Sequence, residues 1–225
     1  MPVDFVPSEP APAVGEVVVE VIAEGLGTVP ERRPSQSPVA LALPPWAASR
    51  IQGFDIAVDA WFDRLRGNPV ADRVFYGASA VGDFSLLWHV LSLGRVVVHP
   101  DTQREAIRMA TALAVESVAV NIGVKALFRR ERPAWAGDRP HDLRQPRSSS
   151  FPSGHATSGF LAASLLAAGR PRQRALWFGL AGVVAASRVH VRIHHASDVV
   201  GGAFLGLTFG ALVRRGWPAP TKGRS

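Results

Sequence analysis

The 225-residue chain contains no cysteine. A disulfide scaffold, a thiolate metal site and a cysteine nucleophile are all excluded, while either redox compartment stays open. Lysine is nearly absent as well. Only Lys125 and Lys222 stand among 25 basic residues, so a formal charge of +7 is carried almost wholly by arginine. That balance suits nucleic acid, anionic lipid or a phosphorylated substrate. No aromatic–basic motif or reading helix accompanies it, which sets nucleic acid aside as a partner. Long period-two alternation is missing too, and strands are set aside with it. Hydrophobic residues reach 47%, but they are distributed unevenly along the chain.

Residues 1–45 hold nine of the 18 prolines, from Pro2 to Pro45, with acidic and small residues between them. Their one apolar stretch, Val17–Ile22, is short, is flanked by Glu16 and Glu24 and carries Glu20. It lacks the basic start and long core of a signal peptide, so a disordered tail is expected. Over 46–73, Ile51, Phe54, Val58, Trp61, Phe62 and Leu65 recur at helical spacing, with Asp55, Asp59, Asp63, Arg64 and Arg66 between them. This predicts an amphipathic helix lying in a membrane interface, Trp and Phe toward lipid. Five apolar segments follow, at roughly 74–98, 106–124, 156–169, 175–191 and 199–213, rich in Ala, Val, Leu and Gly. Only the first two approach the length of a simple span, about 20 residues. They also enclose Asp83, His89, Arg95, Glu116 and Asn121. The expected fold is all-α: an integral-membrane helical bundle of about five spans over 74–216, closed by a basic tail at 217–225. Glycines such as Gly159, Gly202, Gly206 and Gly210 would let its helices approach closely.

Polar residues gather at the ends of these segments in three places: Lys125 to Pro133, Phe151 to His155, and Ser187 to Asp198. Lys125, Arg132 and Arg188 could meet on one side of a bundle. Desolvated cations need a counter-charge, and phosphate is the natural one, since arginine forks onto its oxygens and lysine adds a point charge. Pro152-Ser153-Gly154 reads as a helix start, with Ser153 as cap and Gly154 letting an anion approach the free N–H groups. His155 then lies in the first turn. His194 and Asp198, four apart, share a helix face. A carboxylate on one imidazole nitrogen leaves the other free as nucleophile or base. One histidine to attack phosphorus and another to protonate the leaving oxygen make a complete phosphomonoesterase set that calls for no metal and no cofactor.

Three ordered motifs carry a resemblance. Lys125 is separated by six residues from Arg132-Pro133; Pro152-Ser153-Gly154-His155 follows; then five residues separate Ser187-Arg188 from His194, and three more separate His194 from Asp198. The chain resembles the type 2 phosphatidic acid phosphatase family, which includes lipid phosphate phosphatases and shares its core with bacterial acid phosphatases and vanadium haloperoxidases. The resemblance implies phosphate contacts for Lys125, Arg132, Arg188, Ser153 and Gly154. It implies a phosphohistidine at His194, orientation of that ring by Asp198, and proton transfer by His155 to the leaving alcohol and then from water. It also implies a site on the extracytoplasmic face of a bacterial plasma membrane. Family members of this kind have six spans against the five expected here.

The expected function is hydrolysis of a lipid phosphate: a polyprenyl phosphate or diphosphate, phosphatidate, or phosphatidylglycerol phosphate. The partners are that substrate and membrane lipid. The rival readings are a phosphotransferase using the same site and a non-catalytic phospholipid-headgroup binder, for which His155, His194 and Asp198 would be superfluous. Arg129, Arg130 and Arg192 read as headgroup or surface contacts, and Asp83, Glu116 and His89 as helix packing. His195 stands at the wrong spacing for the nucleophile.

Overall fold

The computed structural model of the chain describes residues 43–135, 139–146, 148–168 and 170–218. The expected disordered tail, but for residues 43–45, and the basic tail, but for 217–218, lie outside the described residues. Those described are helical, with connecting turns and loops and no strand. The principal helices are α1 (Pro45–Asp63), α2 (Pro69–Gly82), α3 (Leu86–Val98), α4 (Gln103–Val118), α5 (Gly154–Ala167), α6 (Arg174–His190) and α7 (Ala196–Gly216).

The amphipathic pattern read as one helix over 46–73 is two helices. Gly67 adopts φ +83°, a conformation that favours glycine. Asn68 then caps the next helix, its Oδ1 accepting from the amides of Val70 (3.0 Å) and Ala71 (3.1 Å), with Pro69 in the first turn. Arg66, just before the break, donates to the carbonyls of Val189 and His190, both at 2.8 Å, and so satisfies the end of α6. On α1 the polar side is the one turned inward. Its inward stripe is Asp55, Val58, Asp59 and Phe62, half of it acidic, while Trp46, Phe54, Ile56 and Trp61 face outward. The carboxylates turn in because arginines await them: Arg130 on Asp55, Arg66 on Asp59 and Asp63, and Arg192 on Asp59 and Asp63.

Three helical stretches are long and apolar enough to cross a membrane: Pro69–Val98, Pro100–Leu127 and Ala196–Gly216. The last, at 21 residues, is about 31 Å long, which matches the roughly 30 Å hydrocarbon core. Val90, Leu93, Val97, Ile122, Phe204 and Leu212 are exposed on them, as lipid-facing side chains are. The first stretch is broken at Asp83–Ser85, where Phe84 and Ser85 both take positive φ, and the second ends in a π-turn at Ala119–Val124 just before Lys125. Helix α5 has 14 residues, about 21 Å, too short to cross by itself. Apolar on all sides, it is buried from Ala156 to Leu166 except at Phe160, with α6 and α7 packed on it.

The α5–α7 contact is close because α7 presents glycine. A Cβ on Gly206 would stand 2.2 Å from the Thr157 carbonyl oxygen, and one on Gly202 2.5 Å from that of Ser153. The small stripe lets two helix starts, Ser153-Gly154-His155 and His194 to Asp198, lie side by side. At the far end, Glu105 bridges Arg95 (2.8 Å) and Arg170 (3.1 Å), which fixes the other mouth of the bundle.

Candidate active site

The chain reverses between α6 and α7 within five residues. The amides of Ile193 and His194 both donate to the Arg188 carbonyl at 3.1 Å, so Arg188 and His194 leave one turn together. His195 caps α7, and the Asp198 carboxylate returns to accept the His195 amide at 2.8 Å. That reciprocal cap fixes where Asp198 points. Its Oδ2 also accepts from the Ser150 hydroxyl, and its Oδ1 from Arg130 Nη1 at 2.7 Å. Asp198 is fully buried, Arg188 is 1% exposed and His194 3% exposed.

His194 Nδ1 faces Asp198 Oδ2 at 3.7 Å. This is beyond hydrogen-bond length, so the carboxylate acts on the ring through its charge. On the other side, Arg132 Nη1 lies 3.3 Å from His194 Nε2. Guanidinium nitrogens only donate, so Nε2 presents its lone pair there and the ring proton sits on Nδ1, toward Asp198. Burial holds the His194 pKa down to about 4, with Arg188 and Arg132 adding to the effect and Asp198 opposing it. The imidazole is therefore neutral at pH 7.

Arg132 is locked by its backbone acceptors: Ile193 (2.9 Å), Ser148 (3.1 Å) and Ser149 (3.2 Å). Lys125 Nζ reaches the Ser148 hydroxyl at 3.5 Å. Arg188 donates to the Ser79 hydroxyl, and Ser79 also offers its carbonyl to His155 Nε2 at 3.0 Å. That nitrogen lies 3.4 Å from Asp83 Oδ1. His155 is held closely: a Cβ on Gly82 would come within 2.5 Å of its ring. Ser153 caps α5 by accepting the Ala156 amide at 3.5 Å, and its own amide donates to the Asp198 carbonyl at 3.0 Å. At Gly154 the space where a side chain would stand is open. Lys125 feels the charges of Arg132 and Arg188, and His155 those of Arg188, His194 and Lys125. All eight residues named from the sequence thus converge at one end of the bundle.

Several neighbours were missed or assigned elsewhere. Arg130, read as a headgroup or surface contact, is the half-buried partner of Asp198 and also holds Asp55 at 2.6 Å. Asp55 accepts from Ser197 as well, through its amide at 2.7 Å and its hydroxyl at 2.8 Å. Asp83, read as helix packing, faces His155. Ser148, Ser149 and Ser150 clamp Arg132, Lys125 and Asp198; their only sequence signal was a run of three serines ahead of Pro152. His195 turns its ring to the Glu131 carbonyl (3.3 Å), and His190 bonds Asp72 (2.8 Å) and stacks on Phe75.

Three cations around two histidines, one of them backed by a carboxylate, have the charge and the groups that phosphoryl transfer calls for. A family model described as the PAP2 superfamily matches residues 105–222, a stretch containing all eight of these residues. The decaprenylphosphoryl-5-phosphoribose phosphatase of Mycobacterium tuberculosis is 36% identical over 140 residues, covering 61% of this chain and 75% of the relative. Its namesake in Mycolicibacterium smegmatis is 31% identical over 156 residues, covering 67% of this chain and 82% of the relative. In fold the chain is similar to a transmembrane PAP2-type phosphatidylglycerolphosphate phosphatase from Bacillus subtilis, with TM-score 0.60, 23% identity, and 82% and 92% of the two chains covered. LpxE of Aquifex aeolicus gives TM-score 0.58 at 23% identity, with coverage of 71% and 94%. The chain belongs to the PAP2 superfamily. It is an integral-membrane phosphatase acting on phosphorylated lipid.

Proposed function

We propose that the chain hydrolyses a phosphate monoester on a lipid in two displacements through a phosphohistidine at His194. The observation that carries this is the cation at the tip of a neutral imidazole, Arg132 Nη1 at 3.3 Å from His194 Nε2. A phosphate drawn to Arg132 arrives where that lone pair can reach phosphorus. In the first step Nε2 bonds to phosphorus, the ester oxygen leaves, and His155, which burial keeps neutral in the free site and which the bound phosphate dianion favours as imidazolium, gives that oxygen its proton. In the second, water attacks the phosphohistidine, His155 takes the water's proton, and His194 departs neutral. Lys125, Arg132 and Arg188 hold the non-bridging oxygens through both steps, with the Ser153 hydroxyl and the free amide of Gly154 at the start of α5. Asp198 offsets the positive charge that grows on the His194 ring as the bond forms.

Among the expected substrates, the names of the relatives favour a polyprenyl lipid, and specifically a polyprenylphosphoryl sugar phosphate. The test is phosphate release in detergent from prenylphosphoryl ribose 5-phosphate, prenyl phosphate, prenyl diphosphate, phosphatidate and phosphatidylglycerol phosphate, each with EDTA present. Release from the first at the highest kcat/KM is the expected result. Loss of all release on adding EDTA would exclude the metal-free mechanism, and no release from any lipid would leave a headgroup binder.

The family resemblance further supports a site on the extracytoplasmic face. With no native cysteine in the chain, Gln145→Cys on the exposed loop beside the site supplies a unique thiol. It should react with a membrane-impermeant maleimide in intact cells; labelling only after lysis would put the site on the cytoplasmic side.

A further inference from the structure

The loop from Arg139 to Pro146 lies between the first and second motifs, and neither motif accounts for it. Leu143 packs against Tyr76, Val191 and Ile193, and His141 meets the Tyr76 ring edge-on at 5.2 Å, so the loop is seated on the ends of α2 and α6. Arg139 donates to the Val191 carbonyl and stacks over Trp135, its guanidinium carbon 4.5 Å from the ring centre. Arg144 sits 4.6 Å over the Phe84 ring, on the side of Asp83 and His155. A cleft of about 510 Å³ opens here, and Arg132 and Ile193 line it. Arg132 thus stands with one face toward His194 and another toward the cleft.

The charge count is the decisive feature. A phosphate monoester carries about −1.5 to −2 at pH 7. Lys125, Arg132 and Arg188 already meet that charge. Arg139 and Arg144 are two further cations, near enough that Arg188 feels both. Among the described residues neither has a carboxylate within ion-pair distance, and Asp142 is the one acidic residue lining the cleft. Arg192, the cleft's third arginine, is already matched by Asp59 and Asp63. Asp83 and Asp198 act on Arg188 and Arg132, but Arg139 and Arg144 add two cations that repel Arg188 unless a further anion is brought to them.

We infer that the cleft is a second anion subsite, which takes a second phosphate of the same substrate through Arg139, with Arg144 adding its charge from outside the lining and the polar linker spanning the cleft beside Trp135. The inference rests on the phosphatase reading above and deepens it. The shared chemistry is a second phosphorus-centred anion, either bonded directly to the first as in a diphosphate or set a sugar ring away. The cleft's volume of about 510 Å³ exceeds what one phosphate bonded directly to the first would fill, so the second spacing is the one assigned.

The experiment compares wild type, Arg139→Gln, Arg144→Gln and the double variant in detergent on three substrates of one prenyl chain length: prenylphosphoryl ribose 5-phosphate, prenyl diphosphate and prenyl monophosphate. The arginines touch a group that does not react, so the effect should fall on KM. The ratio of kcat/KM for the sugar bisphosphate over that for the monophosphate should drop at least about tenfold in the double variant, as lost charge-assisted hydrogen bonds require. A drop confined to the diphosphate would overturn the sugar spacing. An equal change on all three substrates, or no change, would overturn the subsite. If wild type releases phosphate from none of them, the phosphatase reading has failed, and calorimetry with ribose 1,5-bisphosphate against ribose 5-phosphate decides the subsite separately. A preference for the bisphosphate that the double variant loses would support it, and no preference would remove it.

Discussion

The His194→Ala protein should release phosphate from the best lipid substrate at least about 1,000-fold more slowly than wild type, because the cradle of cations remains but the atom that attacks phosphorus is gone. What is left is the residual rate that binding and charge stabilisation give without a nucleophile. Substrate affinity should change little, since Lys125, Arg132 and Arg188 are anchored by Ser148, Ser149, Ile193 and Ser79, not by the imidazole. Acid quench of wild type on a labelled substrate should show a covalent, acid-labile phosphoenzyme that the variant lacks. The pH profile tests the same assignment. Burial depresses the His194 pKa to about 4, so the ring is neutral and able to attack at all higher pH. Protonation blocks attack only as the pH falls through that value. After the substrate's own second ionisation, near pH 6, is divided out, the acid limb of kcat/KM should lie near pH 4. A limb near the ordinary 6.5 would mean a solvated histidine, and equal release by variant and wild type would remove His194 from the chemistry.

The residues proposed to hold phosphate were legible in the sequence because their chemistry admits few substitutes. A phosphate needs forked or point cations, and an imidazole nucleophile needs a nearby carboxylate, so type and spacing marked Arg132, Arg188, His194 and Asp198; the shared helix face expected for the last two is instead a turn, with His194 ahead of the His195 cap and Asp198 in the first turn of α7. The residues that position them were not legible, because ordinary types serve that purpose. Ser79 holds both Arg188 and His155, yet it is one serine within an apolar segment. The amphipathic pattern of α1 was visible, but the partners of its acidic side were not. A polar stripe is read as facing water, whereas Asp55 and Asp59 face arginines across a protein interface and the aromatic side faces out. Periodicity also ran on through Gly67-Asn68-Pro69, where the turn residues were the better guide. The same limit applies to α5. Its 14 residues look like a short span, and only its enclosure by α6 and α7 shows it to be the core on which both histidine-bearing turns rest.

Arg130→Ala should be among the most destabilising single changes near the site. Arg130 stands between two carboxylates, donating to Asp198 Oδ1 at 2.7 Å and Asp55 Oδ2 at 2.6 Å, whose side chains are 0% and 7% exposed. Without it both acids stay buried with no cation between them. Asp198 keeps Ser150 and the His195 amide, and Asp55 keeps Ser197, but neutral donors do not cancel two charges. Breaking a buried pair by removing one partner costs roughly 3–5 kcal/mol. Arg130 is itself 30% exposed, which puts the expectation at the lower end of that range. Thermal unfolding in detergent should show the loss. Adding Asp55→Asn to the variant should return part of it, because one of the two stranded charges is then gone. Arg130→Lys should fall between, since an ammonium keeps the charge but cannot fork onto both acids. Activity should fall with stability in a way that separates positioning from folding. With Asp198 uncompensated, its charge favours the imidazolium form of His194, in which Nε2 is protonated, so the acid limb of the rate profile should move up from pH 4 in the protein that remains folded. A melting temperature equal to wild type, with the acid limb unmoved, would mean that Arg130 is a solvated surface cation and that α1 is not tied to the nucleophile through it.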